Sequence, residues 1–143
     1  MKANELFPGA LARVNRDGLC IKKDTIVEVR AVDADDKLIE KGLTGSAHCR
    51  PLDDDQFEGG IWCEYLEPIP LTAEILGKNK FSKTRLMGEQ RHFTYYLAPS
   101  LSLLAIYDVE FSLCIGDCAR YIKYVHQLQQ VFILCGIDKE IVL

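Results

Sequence analysis

The sequence predicts an α+β fold in two parts, a strand-rich front part and a back part that contains helices. Short apolar runs, separated by turn residues, occupy residues 1–67 without helical spacing. Pro68 and Pro70 then form a hinge, because proline has no amide hydrogen to donate to a strand ladder. Residues 68–143 end in a long segment with helical spacing of its apolar residues. We therefore expect two domains, 1–67 and 68–143, packed against each other.

The front part is predicted to be an SH3-like small β-barrel. The segment Thr25–Val32 alternates apolar and polar residues, as a half-buried strand does. Gly42–Gly60 is rich in Gly, Asp, Ser and Pro, which predicts a loop, and Ile61–Leu66 follows as the last strand. Several short strands with no helix among them indicate a small curled sheet or barrel of this kind.

The back part is predicted to begin with a short helix and to continue as a three-stranded antiparallel meander. Thr72 is a good N-cap for a helix from Ala73 to about Lys78, because its hydroxyl can accept a bond from an open amide. Three segments rich in aromatic and β-branched residues follow, separated by breaker residues, and they are expected to pair in order. These segments are His92–Leu97, Leu101–Tyr107 and Val109–Ile115.

A long C-terminal amphipathic helix is predicted from Cys118 to Leu134, with Asp117 as its N-cap and Gly136 just beyond its end. Apolar residues recur there at steps of four and three, while polar residues occupy the other side. The apolar residues are Tyr121, Val125, Leu128, Phe132 and Cys135. Ile133 and Leu134 lie outside this stripe, so the helix also offers a face for a homodimer.

Composition bounds the class of protein. With 143 residues, 48% hydrophobic and 27% charged, the chain is suited to one good core or two small ones, and wholesale disorder is excluded. The start, MKANELFPG, has no apolar run of signal-peptide length. The most apolar window, Leu97–Ile115, contains Pro99, Asp108 and Glu110, which a spanning helix does not readily accept. We predict a cytoplasmic protein with no membrane contact.

The six cysteines are best interpreted as reduced and mostly buried thiols. Cys114 and Cys118 stand four residues apart, with His126 eight residues further on, and this is half of a zinc site. A second pair of ligands is missing unless His48 and Cys49, or Cys63, fold over from the front part, so we predict no metal and no other cofactor. His126 could also act as a base for a cysteine nucleophile, but no known local signature surrounds the cysteines. An enzyme using Cys and His is therefore the weakest functional hypothesis.

Basic residues concentrate in the back part of the chain. Residues 1–70 contain fourteen acidic and nine basic side chains, whereas residues 71–143 contain seven and eight. Five cations lie between 78 and 92 with one acid, beside Phe81, Phe93, Tyr95 and Tyr96; they are Lys78, Lys80, Lys83, Arg85 and Arg91. Cations contact phosphates and exposed rings stack on unpaired bases, so this segment predicts weak nucleic-acid binding. The alternative is a solvated basic loop whose rings belong to the core of the meander.

The opening MKANEL, the hinge PIPLT-x-E-I-L and the closing YVHQLQ…LCGIDKEIVL also carry a resemblance. With them the chain resembles small uncharacterised proteins of Bacteroides-type gut bacteria, which are often found near prophages and conjugative elements. The resemblance implies a cytosolic accessory protein of a mobile element, and it brings no activity with it.

Three functions are therefore carried forward. The first is a non-catalytic interaction protein of a phage or mobile element, with a protein partner that the sequence does not identify. The second is a nucleic-acid-binding accessory factor that uses the basic segment 78–92. The third is the Cys/His enzyme, and salt-sensitive nucleic-acid affinity or thiol reactivity near neutral pH would distinguish these functions.

Overall fold

The chain divides into two compact units, Met1–Ile69 and Pro70–Leu143. Each unit contains one antiparallel sheet of five strands. The structure is a computed structural model that describes part of the chain. At positions 104, 106, 114, 115 and 118 it describes the backbone but not the side chains. It describes residues 1–18, 20–33, 45–54, 58–85, 92–97, 101–106, 110–115 and 118–143.

The first unit is built on a sheet with the strand order β4-β3-β2-β1-β5. Short 3-10 turns at Ala3–Glu5 and Cys63–Tyr65 complete this unit. The amino group of Met1 donates hydrogen bonds to the carbonyls of Cys63, at 3.0 Å, and Leu66. The strands are β1 (Leu11–Val14), β2 (Ile26–Asp33), β3 (Ser46–Pro51), β4 (Gly59–Trp62) and β5 (Leu66–Pro68).

The prediction of an SH3-like small β-barrel is wrong. Strands β4 and β5 are the two edges of an open sheet, and no described pairing joins them into a barrel. Strand β3 lies inside the segment predicted to be a loop. Burial alternates along β3, with Ala47, Cys49 and Pro51 buried between more exposed neighbours. Because none of these buried residues is a large apolar one, the alternation is not visible as a hydrophobic pattern in the sequence. Pro68 ends β5, an edge strand, where a missing amide donor is tolerated.

The second unit contains two helices and a five-stranded meander in which sequence neighbours pair, with the order β10-β9-β8-β7-β6. The strands are β6 (Ser82–Arg85), β7 (His92–Leu97), β8 (Leu101–Ile106), β9 (Glu110–Ile115) and β10 (Cys118–Ile122). Helix α1 spans Ala73–Lys78 and helix α2 spans Val125–Leu134. The three strands expected here are present as β7 to β9, and the sheet has one further strand at each edge.

The predicted long helix from Cys118 is wrong, and with it the predicted α+β order. Residues Cys118–Ile122 form β10, which pairs with β9, and α2 begins only at Val125. The expected N-cap, Asp117, lies outside the described residues. The amide groups of Lys123 and Tyr124 instead donate to Oε1 of Gln127, at 2.8 and 3.3 Å, at the start of α2. The residues that were expected to open the helix, 118–122, are therefore paired with β9 as a strand instead.

The start of α1 and the end of α2 follow the signals in the sequence. The Thr72 hydroxyl accepts a 3.2 Å hydrogen bond from the amide of Ile75, which confirms the predicted cap of α1. Gly136 adopts a φ of +64° after α2, and the amide of Ile137 donates to the carbonyl of Phe132 at 2.8 Å. This is a Schellman ending, and it confirms the predicted role of Gly136. Among the described residues, no helix is long and apolar enough to cross a membrane.

Candidate functional site

Strand register divides the second sheet into a covered face and an open face. Residues directly opposite each other across antiparallel strands point to the same side, and alternate residues point to opposite sides. On one side, Tyr95 faces Leu103 and Leu103 faces Leu113. The buried residues on this covered face are Tyr95, Leu101, Leu103, Ala105, Phe111, Leu113 and Ile122.

The covered face carries the core of the second unit. The rings of Tyr95 and Phe111 meet edge to face with centroids 5.8 Å apart. Helix α2 also buries one side, with Val125, Leu128 and Phe132, and the Phe132 ring stacks on Phe81 at 6.3 Å. Because an amphipathic helix and a one-sided sheet bury their apolar sides together, we infer that α2 covers this face.

The open face has an unusual composition for a protein surface. None of its ten described side chains is buried, and seven of them carry a hydroxyl group. Tyr96 is 41% exposed and Tyr121 is 67% exposed, whereas among these ten described side chains Glu110 is the only acid and none is a Lys or Arg. The described side chains are Ser82, Thr84, His92, Thr94, Tyr96, Ser102, Glu110, Ser112, Ala119 and Tyr121.

A cleft of about 420 Å³ lies at the corner of the open face where β9 and β10 pair. The segment before α1 forms one wall: Pro70 bridges to Tyr124, and the Leu71 amide donates to the carbonyl of Lys123 at 2.8 Å. This backbone pairing holds the wall beside the end of β10. The cleft is lined by Pro70, Leu71, Glu110, Phe111, Tyr121, Lys123 and Tyr124.

The cleft combines aromatic walls with two opposite charges. Phe111 is buried, and the Tyr124 ring stacks almost parallel on the buried His126 ring, with centroids 5.7 Å apart. The side chains of Glu110 and Lys123 are exposed, and neither forms an ion pair within the described part of the chain. The lining therefore offers the stacked Tyr124 ring and the exposed Tyr121 ring, together with one carboxylate and one ammonium group.

The predicted basic segment is partly engaged with its own unit. Lys78 forms an ion pair with Glu74 at 3.1 Å and donates to the Leu143 carbonyl at 3.0 Å. Lys80 is exposed and adopts a φ of +60°. The Lys83 ammonium lies 3.9 Å from the centre of the Phe93 ring, which is a cation–π contact.

The half-buried Phe93 ring lies on the same side of the sheet as Lys83 and Arg85, whereas the other rings near the basic segment are buried or lie on the opposite side. Arg85 is exposed on edge strand β6, where it pairs with Phe93, and Arg91 lies outside the described residues. Phe81 and Tyr95 are buried, so their faces are not open to a nucleic-acid base. Tyr96 is exposed, but it lies on the open face, opposite to Lys83 and Arg85. Nucleic-acid binding by this segment stays a prediction.

The cysteine and histidine candidates are only partly described. Cys114 and Cys118 lie in paired strands, but their side chains fall outside the described residues. His126 is buried in the first turn of α2. No group of three His, Cys, Asp or Glu side chains that could hold a metal ion occurs in the described portion of the chain.

Two of the described thiols are buried in the first unit. Burial, and then the neighbouring Cys63 thiol, raise the pKa of Cys49 to about 12, and burial also raises the pKa of Cys63. Both thiols therefore stay protonated near neutral pH, and a protonated thiol is a poor nucleophile. Cys20 and Cys135 are exposed.

The sequence reasoning missed both the open face and the cleft. The alternation of Thr94 and Tyr96 with Phe93 and Tyr95 is visible in the sequence, but which side a helix covers is not. The predicted dimer residues, Ile133 and Leu134, are 64% and 85% exposed at the end of α2, and self-association stays a prediction. Comparison of the chain with protein-family models, with curated proteins and with solved structures gave no match.

Proposed function

We propose that the chain is a non-catalytic binding protein that docks another protein on the open face of its second sheet. The observation that carries this proposal is the composition of the described side chains of that face: two exposed tyrosines among hydroxyl side chains, with one carboxylate, Glu110. The centres of protein interfaces are depleted of Lys, Glu and Asp and enriched in Tyr, and the binding loops of antibodies combine Tyr with Ser.

The physical basis is the cost of ordering side chains. A tyrosine provides a large, rigid contact area with only two rotatable bonds, and small hydroxyl side chains adapt their hydrogen bonds to the partner. Lysine and glutamate lose more rotamer freedom and more hydration when they are covered. A paired sheet also fixes the positions of Tyr96 and Tyr121 before binding, which reduces the entropy lost on association.

Site-specific photo-crosslinking in the cells that encode the protein tests this proposal. We expect a photoreactive amino acid at position 96 to capture a protein that the same group at position 133, on the exposed end of α2, does not capture. With the purified partner, Tyr96→Ser should weaken binding about tenfold, as loss of a tyrosine anchor does, while Ile133→Ser leaves it unchanged. Unchanged affinity in Tyr96→Ser would contradict the proposal, and so would capture from position 133 alone.

The nucleic-acid function is the second candidate, and the exposure of all four residues of strand β6 supports it. Fluorescence anisotropy with labelled DNA and RNA across a salt series tests it. Binding that weakens steeply with salt and is lost when Lys80, Lys83 and Arg85 become Ala would establish it. The exposed Tyr96 ring lies on the side opposite to these cations, and the Phe93 ring on their own side is half-buried and in contact with Lys83. This favours the protein partner, because single strands need charge and open stacking surfaces together.

A phage or mobile-element setting is part of the same proposal. It is supported by the resemblance of the MKANEL, PIPLT and YVHQLQ segments to mobile-element proteins of Bacteroides-type bacteria. The partner would then be encoded by the element or by its host. Identifying the protein captured from position 96 answers both questions.

A further inference from the structure

We propose that the cleft beside β10 receives a proline-rich segment of the partner, in the polyproline II conformation and flanked by one basic and one acidic residue. This inference rests on the proposed function, and it names the class of segment that the partner presents. Four properties of the cleft lead to it: its exposure to solvent, the lack of a free amide on the wall formed by Pro70 and Leu71, its rings and its charges.

The openness of the cleft favours a peptide over a small metabolite. Pockets for small molecules cover most of the ligand surface, commonly 70–90% or more. Tyr121 forms one wall here and is itself 67% exposed, so a bound molecule stays in contact with solvent on that side. A peptide loses nothing by this, because its chain continues out of the cleft.

The wall of the cleft formed by Pro70 and Leu71 disfavours an added β-strand. Strand addition needs free amide and carbonyl groups along an edge. Pro70 has no amide hydrogen, and the Leu71 amide is already bonded to the Lys123 carbonyl. A polyproline II helix has no ladder of hydrogen bonds and binds through its side chains, so this wall does not exclude it.

The rings and charges of the cleft fit the remaining features of the proposed segment. Proline-rich segments dock in grooves lined by aromatic side chains, and Tyr121 and Tyr124 line this cleft together with Pro70. Exposed Glu110 and Lys123 carry opposite charges on the lining. A segment with one residue of each sign matches both groups, and electrostatic complementarity of this kind gives specificity more than affinity.

Fluorescence anisotropy with synthetic peptides tests the inference on the full chain. The first probe carries a proline-rich centre between an Arg and an Asp, and the second has alanine in place of every proline. We expect the proline probe to bind at least about tenfold more tightly, because it is already in the bound conformation. Tyr121→Ala should weaken its binding about tenfold, whereas Tyr121→Phe, which keeps the ring, should retain it.

Charge reversal provides an independent readout. Glu110→Lys and Lys123→Glu should each weaken binding of the charged proline probe, and the double variant should restore it because both signs are again present. Equal affinity for the proline and alanine probes, or full binding by Tyr121→Ala, would overturn the inference. The proposed function is judged separately by Tyr96→Ser, which lies outside the cleft, so a failure of the inference can be distinguished from a failure of the proposed function on which it rests.

Discussion

A single buried amide joins the end of helix α1 to the C-terminal segment of the second unit. Asn79 follows α1, and its Nδ2 donates to the carbonyls of Ile75, at 2.8 Å, and Val142, at 2.7 Å. Its Oδ1 accepts a 3.0 Å bond from the Val142 amide, and Lys139 donates to its main-chain carbonyl. The side chain thus fixes the C-terminal segment by the same pattern of donors and acceptors that a neighbouring strand would offer.

Replacing this side chain should destabilise the fold. We expect Asn79→Ala to lower the free energy of unfolding by about 3 kcal/mol, because Val142 loses partners for both its amide and its carbonyl. Urea denaturation measures the change. Asn15→Ala is the matched control, since its amide makes one exposed bond to Glu64 and should cost less than about 1 kcal/mol. Equal losses in the two variants would contradict the role of burial at Asn79.

The Cys49 thiol should make stability depend on alkaline pH. Its pKa in the folded chain is about 12, mainly because of burial, whereas an ordinary thiol has a pKa of 9.0. Between these values the unfolded chain has lost the proton and the folded chain keeps it, so the free energy of unfolding falls as pH rises. One such group contributes a slope of up to about 1.4 kcal/mol per pH unit.

Urea denaturation between pH 9 and 11 checks this effect. We expect Cys49→Ala to show a shallower loss of stability across this range than the unchanged chain, apart from a constant offset for the lost side chain. Replacing the exposed Cys20 by Ala should leave the slope as it was. Parallel curves for all three proteins would show that Cys49 ionises in the folded state as it does in the unfolded state.

At the scale of elements, α1 depends on its cap because it has only six residues. Helices this short are not stable alone, and the hydroxyl of Thr72 satisfies the Ile75 amide that the helix cannot. We expect Thr72→Ala to lower the free energy of unfolding by about 1 kcal/mol, measured by thermal or urea denaturation. Thr72→Ser keeps the oxygen and should lose little, and an equal loss in both variants would mean that the methyl group matters instead.

Caps and turns of this kind were predictable from the sequence because they depend on a few adjacent residues. Thr72 and Gly136 show their roles through residue type and position alone. The segment Cys118–Ile122 does not, because its apolar residues fit helical spacing as well as a strand. Pairing with β9 decides that the segment is a strand and not a helix. The intrinsic strand preference of its residues does not show which strand it pairs with. The open face escaped prediction for the same reason, since burial of its other side depends on where α2 packs.

At the scale of the whole molecule, the first unit contains the partners that its described structure requires. Its strand pairings all lie within residues 1–69, and its core extends from Leu6 to Leu66. The Met1 amino group also finds both of its acceptors there, at Cys63 and Leu66. A chain of this size buries only about 60% of the surface that it exposes when unfolded, so its margin of stability is small.

We therefore expect residues 1–69, produced alone, to fold with the same strand pairings that they have in the full chain. Circular dichroism and amide NMR spectra measure this, the latter by the dispersion of resonances from β1 to β5. A fragment of residues 1–62 is the matched control, because it lacks β5 and both acceptors of the Met1 amino group. It should stay unfolded, because β1 would lose one of its two neighbouring strands and the free energy of unfolding of so small a unit is low. An unfolded 1–69 fragment would show that the first unit needs residues beyond Ile69 in order to fold.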